Sequence, residues 1–219
     1  MFKNFASDAL GLSDIGKIIP PSQFHQTDID DYIFHEDGEK IYFVIKSKSD
    51  EYCFTNLAFL HLDGQSAMSK KRVLKRYPYR YFTPSNVLIE TAGTIDLDAE
   101  LKFVLLGTGD SDSLNKTQGK TFSIDIDKNQ IEQIRDIYKA LTSIAEKCHH
   151  IYHQERILEK AFDKATSMVD LKQLPDSVIL QLPDIINQTM DQIENHYQKR
   201  LEKIRRYDFG DVFEHYLRQ

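Results

Sequence analysis

Residues 90–102 read ETAGTIDLDAELK, and Phe103 follows directly. From Ile95 to Phe103 the apolar side chains alternate with charged ones, which are Asp96, Asp98, Glu100 and Lys102. Because successive side chains of a β-strand point to opposite faces, this alternation predicts a strand with one face in a core and the other in water. Such half-buried strands are typical of antiparallel sheets.

Further short runs rich in β-branched and aromatic residues lie on both sides of this stretch, separated by Gly, Asp, Asn and Ser clusters. They cover residues 41–46, 52–62, 73–82, 87–92, 95–106 and 121–126. We therefore expect six or seven strands in an antiparallel sheet or barrel. The stretch 107–115 does not fit a calcium-binding EF-hand loop, because the sixth and twelfth positions counted from Asp110 are Asn115 and Thr121, where glycine and glutamate are required. We therefore interpret it as a hairpin loop.

After Asp127 the apolar residues recur every three or four positions, which is the spacing of an amphipathic helix. They are Ile131, Ile134, Tyr138, Leu141, Ala145 and Cys148. We expect a helix of about 20 residues, capped by Asp127 or Asn129, whose single apolar stripe packs across an open barrel end. The predicted fold class is α+β.

The chain after residue 150 is helical by pattern, with one short helix over residues 157–168 and a longer one over 184–206. The apolar positions of the longer helix step by three and four through about three heptads. They are Ile186, Met190, Ile193, Tyr197, Leu201 and Ile204. A stripe of this length must be covered, so it is our candidate self-association surface, meeting a helix of the same chain or of a second chain.

Three stretches of the sequence resemble the bacterial pleckstrin-homology (PH) family. They are residues 90–102, the Tyr52–Leu57 run with its Thr-Asn turn, and the Arg76–Tyr79 run. The helical tail is similar to the C-terminal extension of the YvbH-like branch of that family. This resemblance implies a seven-stranded PH-like barrel with a capping helix over residues 1–150. It also implies a helical oligomerisation region over 151–219, self-association and no catalysis.

The resemblance supplies no ligand for the domain. Eukaryotic relatives often bind phosphoinositides through basic residues between their first two strands. In this chain the corresponding hairpin, residues 46–51, places Asp50 and Glu51 beside its lysines. This departure argues against binding of a lipid headgroup at that hairpin.

A basic run at residues 70–80 is the candidate surface for an anion or a partner, and its members are Lys70, Lys71, Arg72, Arg76 and Arg80. In an unbulged strand the three arginines share one face. Guanidinium groups pair with oxyanions, so an anionic ligand, an anionic membrane surface or an acidic protein would fit. The alternative is a solvated outer strand whose charge discourages aggregation. Pro78 is also able to break the alignment by introducing a bulge.

Composition excludes several classes of function. The 219 residues include 28 basic and 34 acidic side chains, a net charge of -6, which argues against nucleic acid as a partner. Cys53 and Cys148 are far apart in sequence and form no disulfide or zinc motif. His149 and His153 share a helix face but have no third ligand, so we predict no metal and no cofactor.

We found no nucleophile motif in the sequence, and we expect no enzyme. No apolar stretch reaches the roughly 18 residues of a membrane-spanning helix, so we expect a cytoplasmic protein. Near the N-terminus a short apolar stripe predicts an amphipathic helix that packs on its own domain or on a neighbouring subunit. Its residues are Phe2, Phe5, Ala6, Ala9 and Leu10. The expected partner is a second copy of the chain, with another protein or an anionic membrane surface as alternatives.

Overall fold

The computed structural model describes residues 14–64, 72–91, 98–107, 119–167 and 182–217. The predicted N-terminal helix, Lys70, Lys71 and most of the expected loop at 107–115 lie outside the described residues.

The described strands form two antiparallel sheets. The first has the order β1-β2-β3-β4-β5 and the second the order β6-β7-β8. Their bounds are β1 Lys17–Ile19, β2 Ile41–Lys46, β3 Glu51–Thr55, β4 Ala58–Gly64, β5 Arg72–Pro78, β6 Phe82–Thr91, β7 Asp98–Gly107 and β8 Lys120–Asp127. The helices are α1 Ile131–Ser167, α2 Leu182–Ile204 and α3 Gly210–Leu217.

The eight described strands exceed the six or seven expected from the sequence, for two reasons. The predicted run 52–62 folds as β3 and β4, which a turn at Asn56 and Leu57 separates. The three-residue strand β1 was not predicted, because three residues are too few for a visible alternation. Strand β7 is confirmed, since Ala99, Leu101, Phe103 and Leu105 are all buried.

The described strands form two sheets, where a single seven-stranded barrel was expected. A short bridge beside Gly16 joins the two sheets along one side. The Gly16 N–H donates to the Asp125 carbonyl at 2.8 Å, and the Asp127 N–H donates to the Gly16 carbonyl at 3.0 Å. A Cβ atom on Gly16 would lie 2.7 Å from the Ile45 side chain, so glycine permits this close approach.

Aromatic rings fill the space between the two sheets. Phe59 of β4 lies at the centre, 4.9 Å from Phe54, 5.2 Å from Phe103 and 4.8 Å from Phe122 between ring centroids. These edge-to-face and tilted arrangements are the favourable ones for aromatic pairs. The cluster therefore joins β3 and β4 of the first sheet to β7 and β8 of the second.

The outer face of the first sheet is also covered. Residues 20–39, which we call the strap, run across it as the short 3-10 helices Pro21–Gln26, Asp28–Tyr32 and His35–Asp37. The strap contributes Ile29 and Ile33 to a second apolar cluster with Val44, Cys53, Ala58, Leu60 and Leu62 of the sheet. Burial on both faces explains why β2, β3 and β4 read as nearly continuous apolar runs.

Helix α1 is a single helix of 37 residues, where the sequence predicted two shorter ones. Residues 131–167 contain no Gly or Pro, so nothing in this stretch interrupts the helix. The Asp127 carboxylate caps the preceding turn by accepting from the Asn129 N–H at 2.9 Å, as predicted. The buried stripe follows Ile134, Ile137, Leu141 and Ile144, whereas Tyr138 is exposed.

The chain forms two compact units. The first contains the described residues up to Glu146 together with those from Tyr207 onward, and the second is Lys147–Arg206. The last described residues therefore pack with the first unit. Among the described helices, none is long and apolar enough to span a membrane.

Candidate functional site

The arginines of the basic run occupy different positions. Arg72 and Arg76 lie in β5, opposite Gly64 and Leu60 of β4, on the face that the strap covers. Strand β5 ends at Pro78, so Arg80 lies in the following turn and does not continue the row. Arg80 lies 5.7 Å from the Tyr81 ring centroid. The three arginines therefore do not form one continuous stripe.

A buried carboxylate at Glu39 holds Arg76 in place. The Glu39 side chain is 0% exposed, and its oxygens accept from Arg76 at 2.9 Å, from the Thr55 hydroxyl at 2.6 Å and from the Phe34 N–H at 3.1 Å. The Arg76 guanidinium also lies 4.8 Å from the Phe34 ring centroid. This network, which we call the Glu39 clasp, ties the end of the strap to β3 and β5.

A second buried carboxylate, Glu51, fixes the middle of the strap. It is 1% exposed and accepts from the Ile29 N–H at 2.9 Å. Lys46 lies 2.5 Å and Arg72 4.0 Å from its carboxylate, and Arg72 also pairs with Asp28 of the strap. Arg72 and Arg76 are thus each paired with carboxylates of their own chain. Anion or membrane binding by the basic run stays a prediction.

A cluster of Asp50, His61 and Asp63 is the described group whose geometry comes nearest to a metal site, with ligand atoms within 4.8 Å of one another. Asp50 accepts from His61 at 3.1 Å and from the Gly64 N–H at 3.3 Å. Lys75 pairs with Asp63 at 2.7 Å. The Lys75 ammonium group already supplies positive charge beside Asp63. The hydrogen bonds of Asp50 connect it to His61 and Gly64 of β4.

The last described residues contact Tyr42, Phe43, Asn56 and Tyr79 of the first unit, and we call these four residues the groove. We call residues 207–217 the C-terminal segment. The Phe209 N–H donates to the Asn56 carbonyl at 2.9 Å, and the Asn56 amide donates to Asp208 at 3.0 Å. Phe213 stacks on Tyr42 at 4.9 Å between centroids. Phe209, Val212 and Phe213 are buried, so the segment belongs to the core of this unit.

The Tyr42 hydroxyl gives this groove a testable dependence on pH. Burial, together with the charge and hydrogen bond of Glu214 at 3.3 Å, raises the pKa of Tyr42 from 10.0 to about 12. The folded state therefore holds the phenol proton more tightly than the unfolded chain does. Its contribution to stability is complete below pH 10 and is lost as the pH rises toward 12.

We expect the wild-type protein to lose more unfolding free energy between pH 10 and 12 than a Tyr42→Phe variant loses. Urea unfolding of both proteins at several pH values measures the difference. The phenylalanine variant is the control for the other groups that titrate in this range. Equal losses in the two proteins would contradict the assignment.

The candidate self-association residues lie on α2 in the second unit. Tyr197 contacts Phe162 of α1 at 4.5 Å between ring centroids, and Arg205 pairs with Glu155 at 2.8 Å. These contacts pair the two helices antiparallel, so α2 meets a helix of its own chain. We call Lys147–Ser167 and α2 together the helical hairpin. Leu201 is buried, Met190, Ile193, Tyr197 and Ile204 are half-buried, and the side chain of Ile186 lies outside the described residues.

Sequence reasoning did not predict the Glu39 clasp or the docking of the C-terminal segment. The clasp left no local signal, because Glu39 and Arg76 are far apart in the sequence. The segment left a weak one, since Phe209 and Phe213 stand four residues apart, which is the spacing of neighbours on a helix. The structure adds a reason for glycine at residue 210, because a Cβ atom there would lie 2.9 Å from the Tyr42 hydroxyl.

Comparisons with known proteins agree on one family. The family model described as Bacterial PH domain matches residues 9–145. The uncharacterized protein YvbH of Bacillus subtilis is 45% identical over 222 aligned residues, covering 99% of each chain. The crystal structure of a PH-domain-containing bacterial protein from Exiguobacterium sibiricum is 42% identical, with a TM-score of 0.73. That match covers 93% of this chain and all of the other.

Proposed function

Because this chain belongs to the bacterial PH domain family, we propose that it is a non-catalytic module that self-associates through its helical hairpin. Its PH-like fold has antiparallel sheets followed by a helical region. The proposed role is that of a scaffold, in which the hairpin brings copies of the PH-like unit together.

The observation that carries this proposal is the incomplete burial of the hairpin. Among the described side chains of Lys147–Arg206, only Cys148 and Leu201 are buried. Ile157 and Tyr152 of α1 are 56% and 43% exposed. A pair of helices with so little buried apolar surface gains little stability from its own packing, because helix stability in proteins comes mostly from tertiary contacts. A further helical surface is needed to cover the remainder.

A second copy of the chain fits this surface by its charge. Near its middle α2 exposes Asp191 and Glu194, and toward its end it exposes the bases Lys199, Arg200 and Lys203 with one acid, Glu202. Two copies of α2 packed antiparallel and centred on residue 197 would place Asp191 and Glu194 of each copy beside Lys203 and Arg200 of the other. Such charge complementarity fixes the orientation of helices that associate through an apolar stripe.

We expect size-exclusion chromatography with light scattering to show an oligomer for the wild-type protein. The double variant Met190→Glu/Ile193→Glu is expected to shift it to a smaller species, because four half-buried charges would lie in each two-copy interface. We select these positions because Tyr197 and Leu201 already serve the packing within one chain. The matched control, Gln192→Glu/Asn195→Glu, adds the same charge at exposed positions of the same helix and should keep the wild-type mass.

A wild-type chain that stays a monodisperse monomer at high micromolar concentration would overturn the proposal of self-association. An oligomer that survives in both double variants would show that association uses another surface. Circular dichroism of each variant checks that the helices remain folded.

A further inference from the structure

The C-terminal segment lies outside the region that the family model matches. The family region ends at residue 145, and the groove residues Tyr42, Phe43, Asn56 and Tyr79 all lie within it. The segment begins at Tyr207, after the 60 residues of the second unit. The segment therefore binds the groove from outside the family region, as a peptide joined to the chain by the second unit.

The main contacts in the groove come from Phe213 of α3 and from Phe209, which directly precedes this helix. Phe209 and Phe213 are the anchors, with Phe209 5.5 Å from the Tyr79 centroid and Phe213 stacked on Tyr42. One backbone hydrogen bond, from the Phe209 N–H to the Asn56 carbonyl, holds the start of the segment in the groove. Amphipathic helices that bind grooves use anchors with this spacing of four residues.

We propose that the groove accepts the C-terminal segment of a second copy of this chain, so that copies held together by their hairpins exchange their segments. The inference rests on the proposed self-association, which brings the segment of one copy close to the groove of another. An exchanged segment would make the contacts that it makes within one chain, so exchange costs little free energy. Association through the hairpins raises the local concentration of the second segment.

The connection to the segment permits this exchange. Residues 205–209 lie outside the helices, between Ile204 at the end of α2 and Gly210 at the start of α3. A change in backbone direction at Arg205 or Arg206 would redirect the segment without interrupting either helix. Such non-helical connections are where hinge motions are absorbed.

Two variants test the segment and the groove separately, because each disables only one of them. Phe213→Asp disables the segment and leaves the groove intact. Tyr42→Glu disables the groove, because a carboxylate there faces Asp208, Asp211 and Glu214, which already act on Tyr42. The C-terminal peptides of the two chains differ in mass at residue 213, so hydrogen-exchange mass spectrometry follows each chain separately in a mixture.

In the Tyr42→Glu protein alone, we expect the amides of residues 209–213 to exchange rapidly. In an equimolar mixture with the Phe213→Asp protein, the segment of the Tyr42→Glu chain should enter the intact groove, and its exchange should slow by about tenfold or more. The control mixture replaces Phe213→Asp with the double variant Tyr42→Glu/Phe213→Asp, which offers no groove. Protection in the first mixture and not in the second supports exchange between copies.

Equally fast exchange in both mixtures would overturn the inference. Light scattering of the wild-type chain shows separately whether the proposed self-association holds, so the two failures are distinguishable. A synthetic peptide of residues 207–217 gives a second measurement that needs no second chain. It should raise the melting temperature of the Phe213→Asp protein and leave that of the double variant unchanged. No shift with the Phe213→Asp protein would show that the groove does not recognise the segment.

Discussion

Replacing Glu39 by alanine is expected to lower the unfolding free energy by about 3 to 5 kcal/mol, the usual cost of removing one partner of a buried ion pair. The Glu39 side chain is 0% exposed and holds Arg76, Thr55 and the Phe34 N–H together. Its removal would leave the guanidinium without this partner and the hydroxyl and amide without this acceptor. Urea unfolding followed by circular dichroism measures the loss.

The matched control is Glu36→Ala, which removes an exposed carboxylate from the same strap. We expect this variant to stay within about 0.5 kcal/mol of the wild-type protein. A second comparison uses the double variant Glu39→Leu/Arg76→Met, which replaces the pair with apolar groups and should recover much of the loss. A Glu39→Ala protein as stable as the control would show that the clasp does not secure the strap.

Phe59→Ala is expected to lower the unfolding free energy by about 3 to 5 kcal/mol, because it removes the central ring between the two sheets and leaves a cavity. Phe59 is fully buried, and its ring lies within 5.2 Å of the centroids of Phe54, Phe103 and Phe122. The loss should appear as a lower denaturant midpoint with an unchanged slope.

Tyr81→Ala is the control for this aromatic substitution, since Tyr81 is 55% exposed in the turn after β5. A small effect is expected there. If Phe59→Ala and Tyr81→Ala had the same effect, the ring cluster would not be what joins the sheets. Both proteins should retain the wild-type oligomer mass, because neither substitution touches the helical hairpin.

The arrangement of carboxylates also bears on the role of the basic run. Arg72 and Arg76 hold the strap against the first sheet, so their charges already contribute to the fold. An experiment that substitutes these arginines to test anion binding would disturb the strap as well. Arg80 lies in the turn outside β5, so substituting it tests anion binding without removing the pairs of Arg72 and Arg76 with the strap.

Several elements were predictable because their signals are local. The alternation around Leu101 and Phe103 predicted β7, and the change of period after Asp127 predicted the start of a helix. The resemblance to the bacterial PH family, carried by three short stretches, is confirmed. The predicted break in α1 was wrong, because residues 131–167 contain no Gly or Pro and continue as one helix.

The sequence by itself determined where most of the strands and the first helix begin and which of their faces are apolar. Only the tertiary structure decided what covers those faces: the strap over the first sheet, and the C-terminal segment in the groove beside Tyr42. The pairing of Glu39 with Arg76 was likewise decided there. The physical reason is that periodicity reports that a side chain must leave water, whereas its partner is chosen by contacts between residues far apart in the chain.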